Sequence, residues 1–239
     1  MSNPKACLKM DPRSFQTLLS VMAALRAPEG CPWDKKQTHT SLKRYLLEET
    51  YEVIDAIDQD DRENLVEELG DLLFQIVFHA QIGEEDGAFS MGDIVEGITT
   101  KMIARHPHVF GDVPPEEVDW EALKQKEKHT RTLSDELNRI PEAFPALMRT
   151  EKILKKSAKS GRWTRTPSED LKKMKEACRV FEASEENGSG SQKEKAVCEM
   201  LVAAVDLARS NGVQPELLLK TWGDHWIEDT KGPENREKH

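Results

Sequence analysis

Between Thr40 and Arg105 the apolar residues recur every three or four positions and nowhere alternate, which commits this stretch to helices. Leu46, Leu47, Val53, Ile54 and Ile57 mark one helix, from near Thr40 to about Asp58. Leu65, Leu69, Leu72, Leu73, Ile76, Val77 and Ala80 mark the next, ending before Gly83 or Gly87. A further helix follows a Ser90 cap through Ile94, Ile98 and Met102. It stops at His106-Pro107, because a proline disfavours helix in the residue before it. Upstream, Asp11-Pro12 ahead of SFQTLLSVMAALR predicts a helix with an N-cap and a proline in its first turn. Pro28, Gly30 and Pro32 then break the chain around Cys31 to Asp34.

Beyond Pro114-Pro115 the pattern predicts a helix around Trp120 to Lys128 and a joint near Ile140-Pro141. Ten lysines and arginines then lie between Arg149 and Lys175. LKKMKEACRVFEA and KEKAVCEMLVAAVDLARSNG predict two more helices joined by the flexible ENGSGSQ. Gly212 ends one helix and Pro215 starts another, through Leu217, Leu218 and Trp222. The expected fold is all-α, with two tandem helical-bundle domains, 1–135 and 136–239, and the junction near 135–145. A chain that is 33% charged and only 6% aromatic suits that class.

The formal charge of −10 argues against nonspecific nucleic-acid binding, which needs lysine and arginine to neutralise phosphates. A phosphate-bearing substrate would have to enter on cations or on a local basic patch. Cys7, Cys31, Cys178 and Cys198 lie far apart without CxxC spacing, so neither zinc nor a disulfide framework is signalled. No apolar run approaches the ~20 residues needed to cross a bilayer, and MSNPKACLKM does not read as a signal peptide. The expectation is a cytoplasmic protein without membrane or nucleic-acid partners.

Residues 48 to 71, EETYEVIDAIDQDDRENLVEELGD, carry eleven carboxylates with Arg62 as the lone cation. On a helix, residues three or four apart share a face, so Glu48, Glu49 and Glu52 point one way and Glu68 and Asp71 do so on the next helix. A short turn makes the two helices antiparallel neighbours. Crowded carboxylates at the edge of an apolar stripe are costly unless something neutralises them. Magnesium takes hard oxygen ligands, often carboxylates together with waters and substrate phosphates. A solvated acidic face is the alternative. Two features oppose it: the paired ExxE and ExxD, and Gly70 inside a helix, where glycine costs about 1 kcal/mol and suggests close approach of another group. A di-iron bundle would need Glu-x-x-His pairs, and the sequence has none.

Glu49-x-x-Glu52 followed by Glu68-x-x-Asp71 resembles the signature of the MazG family of nucleoside triphosphate pyrophosphohydrolases, in the all-α NTP pyrophosphatase group. GCPWDKKQT at 30–38, LEETYEVIDAI at 47–57, EELGDLLFQIVFHAQ at 67–81, RHPHVFGD at 105–112 and the later IPEAFPALMRTEKI resemble family blocks in order. The resemblance implies hydrolysis of a nucleoside triphosphate between its α and β phosphates, giving a monophosphate and pyrophosphate. It implies Mg²⁺, with Mn²⁺ as a substitute, on Glu49, Glu52, Glu68 and Asp71. Glu48 is the further catalytic candidate, to orient or deprotonate the attacking water. Lys101 and Arg105, four apart, correspond to a lysine and an arginine that meet the phosphates; a snorkelling pair is their bland reading. Trp120 resembles a tryptophan near the base, with rim packing as its alternative, and Glu67 is grouped with the substrate-binding residues. Trp33, Asp34 and Lys35 lie in a block for which a structural role is equally open, and His106 and His108 are read as fixing a turn. The family pairs its modules into helical dimers, so a homodimer is expected.

The second half resembles a decayed copy of the first, with MLVAAVDLARSNG echoing LLFQIVFHAQIGE. In one register Lys175, Glu176 and Arg179 stand where Glu48, Glu49 and Glu52 stand, and Ala196, Cys198 and Glu199 replace Glu68, Gly70 and Asp71. His225 and Asp229 fall near the places of Lys101 and Arg105. No one-residue shift rebuilds four carboxylates, which implies a non-catalytic domain for dimerisation or regulation. The other class of function is a weakly catalytic nucleotide-binding regulator or scaffold.

Overall fold

Helix α3 (Arg62–Glu85) organises the first part of the chain. Its face of Val77, Phe78 and Ile82 is almost wholly buried, and Met22 of α1 (Phe15–Arg26) and Leu42 close the same core. Leu18, Leu19, Tyr45, Phe74 and Met91 pack around it. Helix α2 (Lys43–Asp58) lies antiparallel to α3 across the tight connection 59–61, and α4 (Met91–Arg105) packs on α3 from its other end. A one-turn helix α5 (Pro107–Phe110) and a 3-10 turn Pro115–Glu117 follow. Residues 7, 9–119, 123, 132–187 and 190–230 are described by this computed structural model. Among them all regular structure is helical, and no helix is long and apolar enough to cross a membrane. The helix read around Trp120 to Lys128 lies almost entirely outside the described residues.

Local chemistry sets the helix ends. Asp60 takes a positive φ of 53°, tolerable for a short polar side chain, and Asp61 caps α3 by accepting from the Glu63 and Asn64 amides. Ser90 and Asp93 form a reciprocal capping box on α4, as the sequence suggests for Ser90. At α1 the sequence reading shifts: Ser14 stands at the cap without a side-chain bond, and Asp11 instead accepts from the Arg13 amide before the helix begins. Gly83 lies inside α3, because a Cβ there would come within 2.7 Å of the Phe89 ring. The chain turns at Gly87, where φ is +66°.

The block around Trp33 is held structurally. The Arg26 guanidinium donates to both Glu85 oxygens, at 2.9 and 2.7 Å, and to the carbonyls of Asp34 and Gln37 at 2.6 and 3.2 Å. It also lies 5.4 Å over the Phe78 ring. One buried cation therefore ties α1, the GCPWDKK segment and the end of α3 together, and it holds Glu85 below the usual carboxylate range. Lys35 donates to the Pro28 carbonyl, and Trp33 meets Tyr45 edge to face.

The chain divides into two compact units, Met1–Leu123 and Lys124–His239, with the division N-terminal to the junction read from the sequence. In the second unit α6 (Leu133–Asn138) precedes α7 (Ala146–Lys159), α8 (Pro167–Asn187), α9 (Gly190–Ser210) and α10 (Pro215–Thr230). Helices α8 and α9 reach into both ends of the ENGSGSQ segment. The order of packing repeats that of the first unit: α7 and α8 both pack on α9, and α10 packs on it again, as α1, α2 and α4 do on α3.

The burial pattern sharpens this into a register. Buried Leu42 and Ala56 match buried Asp170 and Ser184 at one constant spacing, and the same spacing takes Gln75, Val77 and Phe78 to Ala203, Val205 and Asp206, all buried. It also takes the first residue of α3 to the first of α9. Under it Glu48, Glu49 and Glu52 meet Glu176, Ala177 and Val180, one residue along from the register read in the sequence. Glu68 and Asp71 still meet Ala196 and Glu199.

Two core positions of the first unit, Leu42 and Phe78, are thus aspartates in the second. Asp206 is fully buried, accepting from Trp163 Nε1 at 2.5 Å and from Arg209 Nε at 2.6 Å. Asp170 is 1% exposed, with Arg165 3.8 Å away and no donor of its own. Burial and the neighbouring Asp206 push Asp170 from 3.8 up to about 6. An acid raised in the fold stabilises it while protonated. The contribution is complete below 3.8 and lost as pH rises through about 6. Asp170→Asn supplies an amide donor to Asp206 and does not titrate. Its melting temperature is expected to gain a few degrees on the wild type between about pH 5 and about pH 7.5. A gap that does not change with pH contradicts this account of the pair.

Candidate metal-binding site

The α2–α3 pairing brings together carboxylates that are far apart in sequence. One oxygen from each of Glu49, Glu68 and Asp71 lies within 4.8 Å of the other two. Glu52, one turn along α2 from Glu49, lies close enough to add repulsion at both Glu49 and Glu68. Glu49 is pushed from 4.5 up to about 6, first by burial, then by Asp71, Glu52 and Glu68. Glu68 is also raised, by burial and by Glu52, Asp71 and Glu67. Among the described residues no cation is paired with Glu49, Glu68 or Asp71, whereas Glu85 in the same helix has Arg26.

This donor set fits a hard divalent cation. Carboxylate oxygens alone, with no sulfur and no imidazole, are what Mg²⁺ or Mn²⁺ accept, and a double positive charge removes the repulsion that raises Glu49. The space a Cβ would fill at Gly70 is open to 4 Å, so no atom of this chain requires a glycine beside Asp71.

Comparison with known proteins follows the same residues. The model of the MazG nucleotide pyrophosphohydrolase domain matches residues 37–110, which hold all four carboxylates. A Thermotoga maritima protein named nucleoside triphosphate pyrophosphohydrolase/pyrophosphatase MazG is 40% identical, over 91% of this chain and 84% of its own. The chain belongs to the MazG family. An Escherichia coli K12 protein named nucleoside triphosphate pyrophosphohydrolase is 42% identical, over 85% of this chain and 80% of its own. An uncharacterised Bacillus subtilis protein, YabN, is 48% identical over 59% of this chain, which spans only 30% of that longer protein.

In this MazG-family chain the sequence-derived residues are only partly brought together. Glu49, Glu52, Glu68 and Asp71 come together. Glu48 lies outside the cluster, next to Arg44, in a groove with Tyr45, Leu47 and Tyr51. Glu67 is exposed and close enough to Glu68 to raise it. Lys101 is exposed on α4 and Arg105, one turn on, is half-buried and held within the chain. Trp120 lies outside the described residues. At the α4 end His106 donates from Nδ1 to the Met102 carbonyl at 2.6 Å, and its ring lies tilted against that of His108, which suits a turn.

Sequence reading did not find the Arg26 tie or a stack in which His39 lies between His79 and Phe89. The two histidine Nδ1 atoms are 2.7 Å apart, and burial together with His39 holds His79 below its usual value. Both features join residues remote in sequence that have no spacing signature.

In metal-free buffer above about pH 6, Glu49→Gln removes one of the mutually repelling charges at almost constant volume. The variant is expected to melt a few degrees above the wild type there, and the gap should close as Glu49 protonates on the acid side of about 6. A lower melting temperature at neutral pH would mean that the carboxylates stabilise the apo fold.

Proposed function

We propose that this chain hydrolyses nucleoside triphosphates between the α and β phosphates. Water oxygen attacks the α phosphorus, the bond from that phosphorus to the bridging oxygen breaks, and pyrophosphate leaves a nucleoside monophosphate. The observation that carries this reading is the three-carboxylate cluster of Glu49, Glu68 and Asp71, joined by Glu52, which no cation among the described residues pairs with and which lies in the family-matched segment. The names of the Thermotoga and Escherichia relatives support the same reaction.

Glu49, Glu52, Glu68 and Asp71 hold Mg²⁺, or Mn²⁺ in its place. When bound, the ion carries the triphosphate to an acidic surface, polarises the phosphoryl group and makes a bound water easier to deprotonate. Glu48, next to Glu49 on α2, orients or deprotonates the attacking water. Glu67 is the outer carboxylate beside Glu68, on the substrate side. Lys101 and Arg105 on α4 receive the phosphates, and Trp120 the base. The second unit does not catalyse, since Ala177, Val180 and Ala196 stand at three of the four ligand positions and Arg165 lies 3.4 Å from Glu199 at the fourth. Its role is dimerisation or regulation. Leu47, Ile57, Val66 and Leu69 on α2 and α3, with Val95 and Ile98 on α4, leave apolar area uncovered, which supports a homodimer.

Asp71→Asn removes one charged ligand oxygen. Pyrophosphate release is expected to fall by roughly two orders of magnitude, about 3 kcal/mol of transition-state stabilisation. Mg²⁺ should raise the melting temperature of the wild type and leave that of the variant nearly unmoved. Glu199→Gln should keep turnover within about threefold of the wild type, because no ligand set surrounds it. Loss of activity in Glu199→Gln with Asp71→Asn unaffected would assign the reaction to the other unit. Nucleotide binding without any pyrophosphate release in the wild type would favour a binding or scaffold protein.

A further inference from the structure

The two units carry equivalent grooves with opposite chemistry. In the first, Arg44, Tyr45, Leu47, Glu48 and Tyr51 of α2 line it. The register that aligns the buried positions takes these five residues to Lys172, Lys173, Lys175, Glu176 and Arg179 of α8. Those five, with Arg165 and Glu169, line a groove of about 470 Å³ in the second unit. The outer charges are conserved in kind, Arg44 as Lys172 and Glu48 as Glu176. The apolar and aromatic side chains between and beyond them have all become cations: Tyr45 as Lys173, Leu47 as Lys175 and Tyr51 as Arg179.

Compensating acids at the groove are mostly engaged elsewhere. Glu169 caps α8, accepting from the Thr166 amide at 2.7 Å and from its hydroxyl at 2.9 Å. Glu176 pairs loosely with Arg179, at 3.6 Å and in the open. Arg165 is turned toward Asp170 and Glu199. Lys172, Lys173 and Lys175 make no ion pair among the described residues, and all three are exposed. In a chain of net charge −10, where an ordinary solvated helix face would be rich in glutamate, this concentration of unpaired cations is directional.

We propose that the α8 groove is a binding site for a small oligophosphate anion, taken up without a metal ion. Lys172, Lys175 and Arg179 fall on one helix face and span about 10 Å of rise, the scale of a phosphate chain, so successive phosphates meet successive cations. Arg179 adds a forked donor suited to phosphate oxygens. The first unit's carboxylates need a cation before any phosphate can approach, whereas here the side chains themselves supply the charge. The ligand class follows from the groove and stands whether or not the first unit hydrolyses nucleotides. Pyrophosphate, free triphosphate and a nucleoside triphosphate share this chemistry.

The test is calorimetric titration of the full-length chain with inorganic tripolyphosphate in EDTA, which silences any metal-dependent binding at Glu49, Glu68 and Asp71. One saturable site per chain is expected, weakening several-fold between about 50 and 200 mM salt. The triple variant Lys172→Gln/Lys175→Gln/Arg179→Gln should bind at least about tenfold more weakly, while Asp71→Asn binds as the wild type does. If the triple variant melts abnormally, Lys175→Gln alone, at an exposed and unpaired position, should still weaken binding by about threefold. Equal affinity for ATP and tripolyphosphate would show that the phosphate chain alone is read; tighter ATP would show that the nucleoside is read as well. No saturable binding in EDTA, binding unchanged in these variants, or stronger binding of a glutamate peptide or single-stranded RNA would overturn the proposal.

Discussion

Mutual repulsion among Glu49, Glu52, Glu68 and Asp71 is the constraint on which the first unit turns. The antiparallel contact of α2 and α3 forces these groups together, and that contact is fixed by the apolar core further along α3. Leu42, Val77 and Phe78 leave little freedom for α3 to slide or rotate, and the Asp61 cap and the positive φ of Asp60 fix where the second helix begins. The fold therefore spends hydrophobic stabilisation to hold an arrangement that like charges oppose. A helix pair under no functional constraint would relieve it with an interleaved lysine. Elsewhere the chain neutralises its acids routinely, as Arg26 does for Glu85 and Lys156 for Glu136.

The helices of the first unit were legible because each presents a 3.6-residue apolar stripe, and the carboxylates because i, i+3 spacing decides which side chains share a face. The meeting of the two carboxylate pairs could be inferred from the short connection between the helices. Other features had no such local signal. Arg26 and Glu85 are each the last residue of a different helix, 59 positions apart, and neither has a neighbour in sequence that marks it as a partner. Three- and four-residue spacing grouped Glu48 with Glu49 and Glu52, and spacing alone carries no sign of Arg44, which lies beside Glu48. Gly83 read as a possible helix end because glycine often is one; the close approach of Phe89 that requires it is a tertiary contact. Matching charges between the halves sets α8 one residue away from the register that matches burial, because burial is fixed by tertiary packing and surface charge is not.

That register sets out how the two units differ at matched positions. Where the first buries Leu42 and Phe78, the second buries Asp170 and Asp206 beside Arg165 and Arg209. Where the first exposes Tyr45, Leu47 and Tyr51, the second exposes Lys173, Lys175 and Arg179. Ligand positions have become Ala177, Val180 and Ala196, and Glu199 has acquired Arg165. One helical framework thus carries an acidic surface suited to cations in its first copy and a basic surface suited to anions in its second. The two surfaces thus differ in charge at matched positions of one helical arrangement.

The central claim is that the first unit cleaves a triphosphate at its α–β bond. A phosphorus-31 NMR time course of the full-length protein with a nucleoside triphosphate and Mg²⁺ addresses it most directly. The account predicts that the triphosphate resonances give way together to those of the monophosphate and pyrophosphate. Early appearance of orthophosphate with the diphosphate would place cleavage at the wrong bond and contradict it.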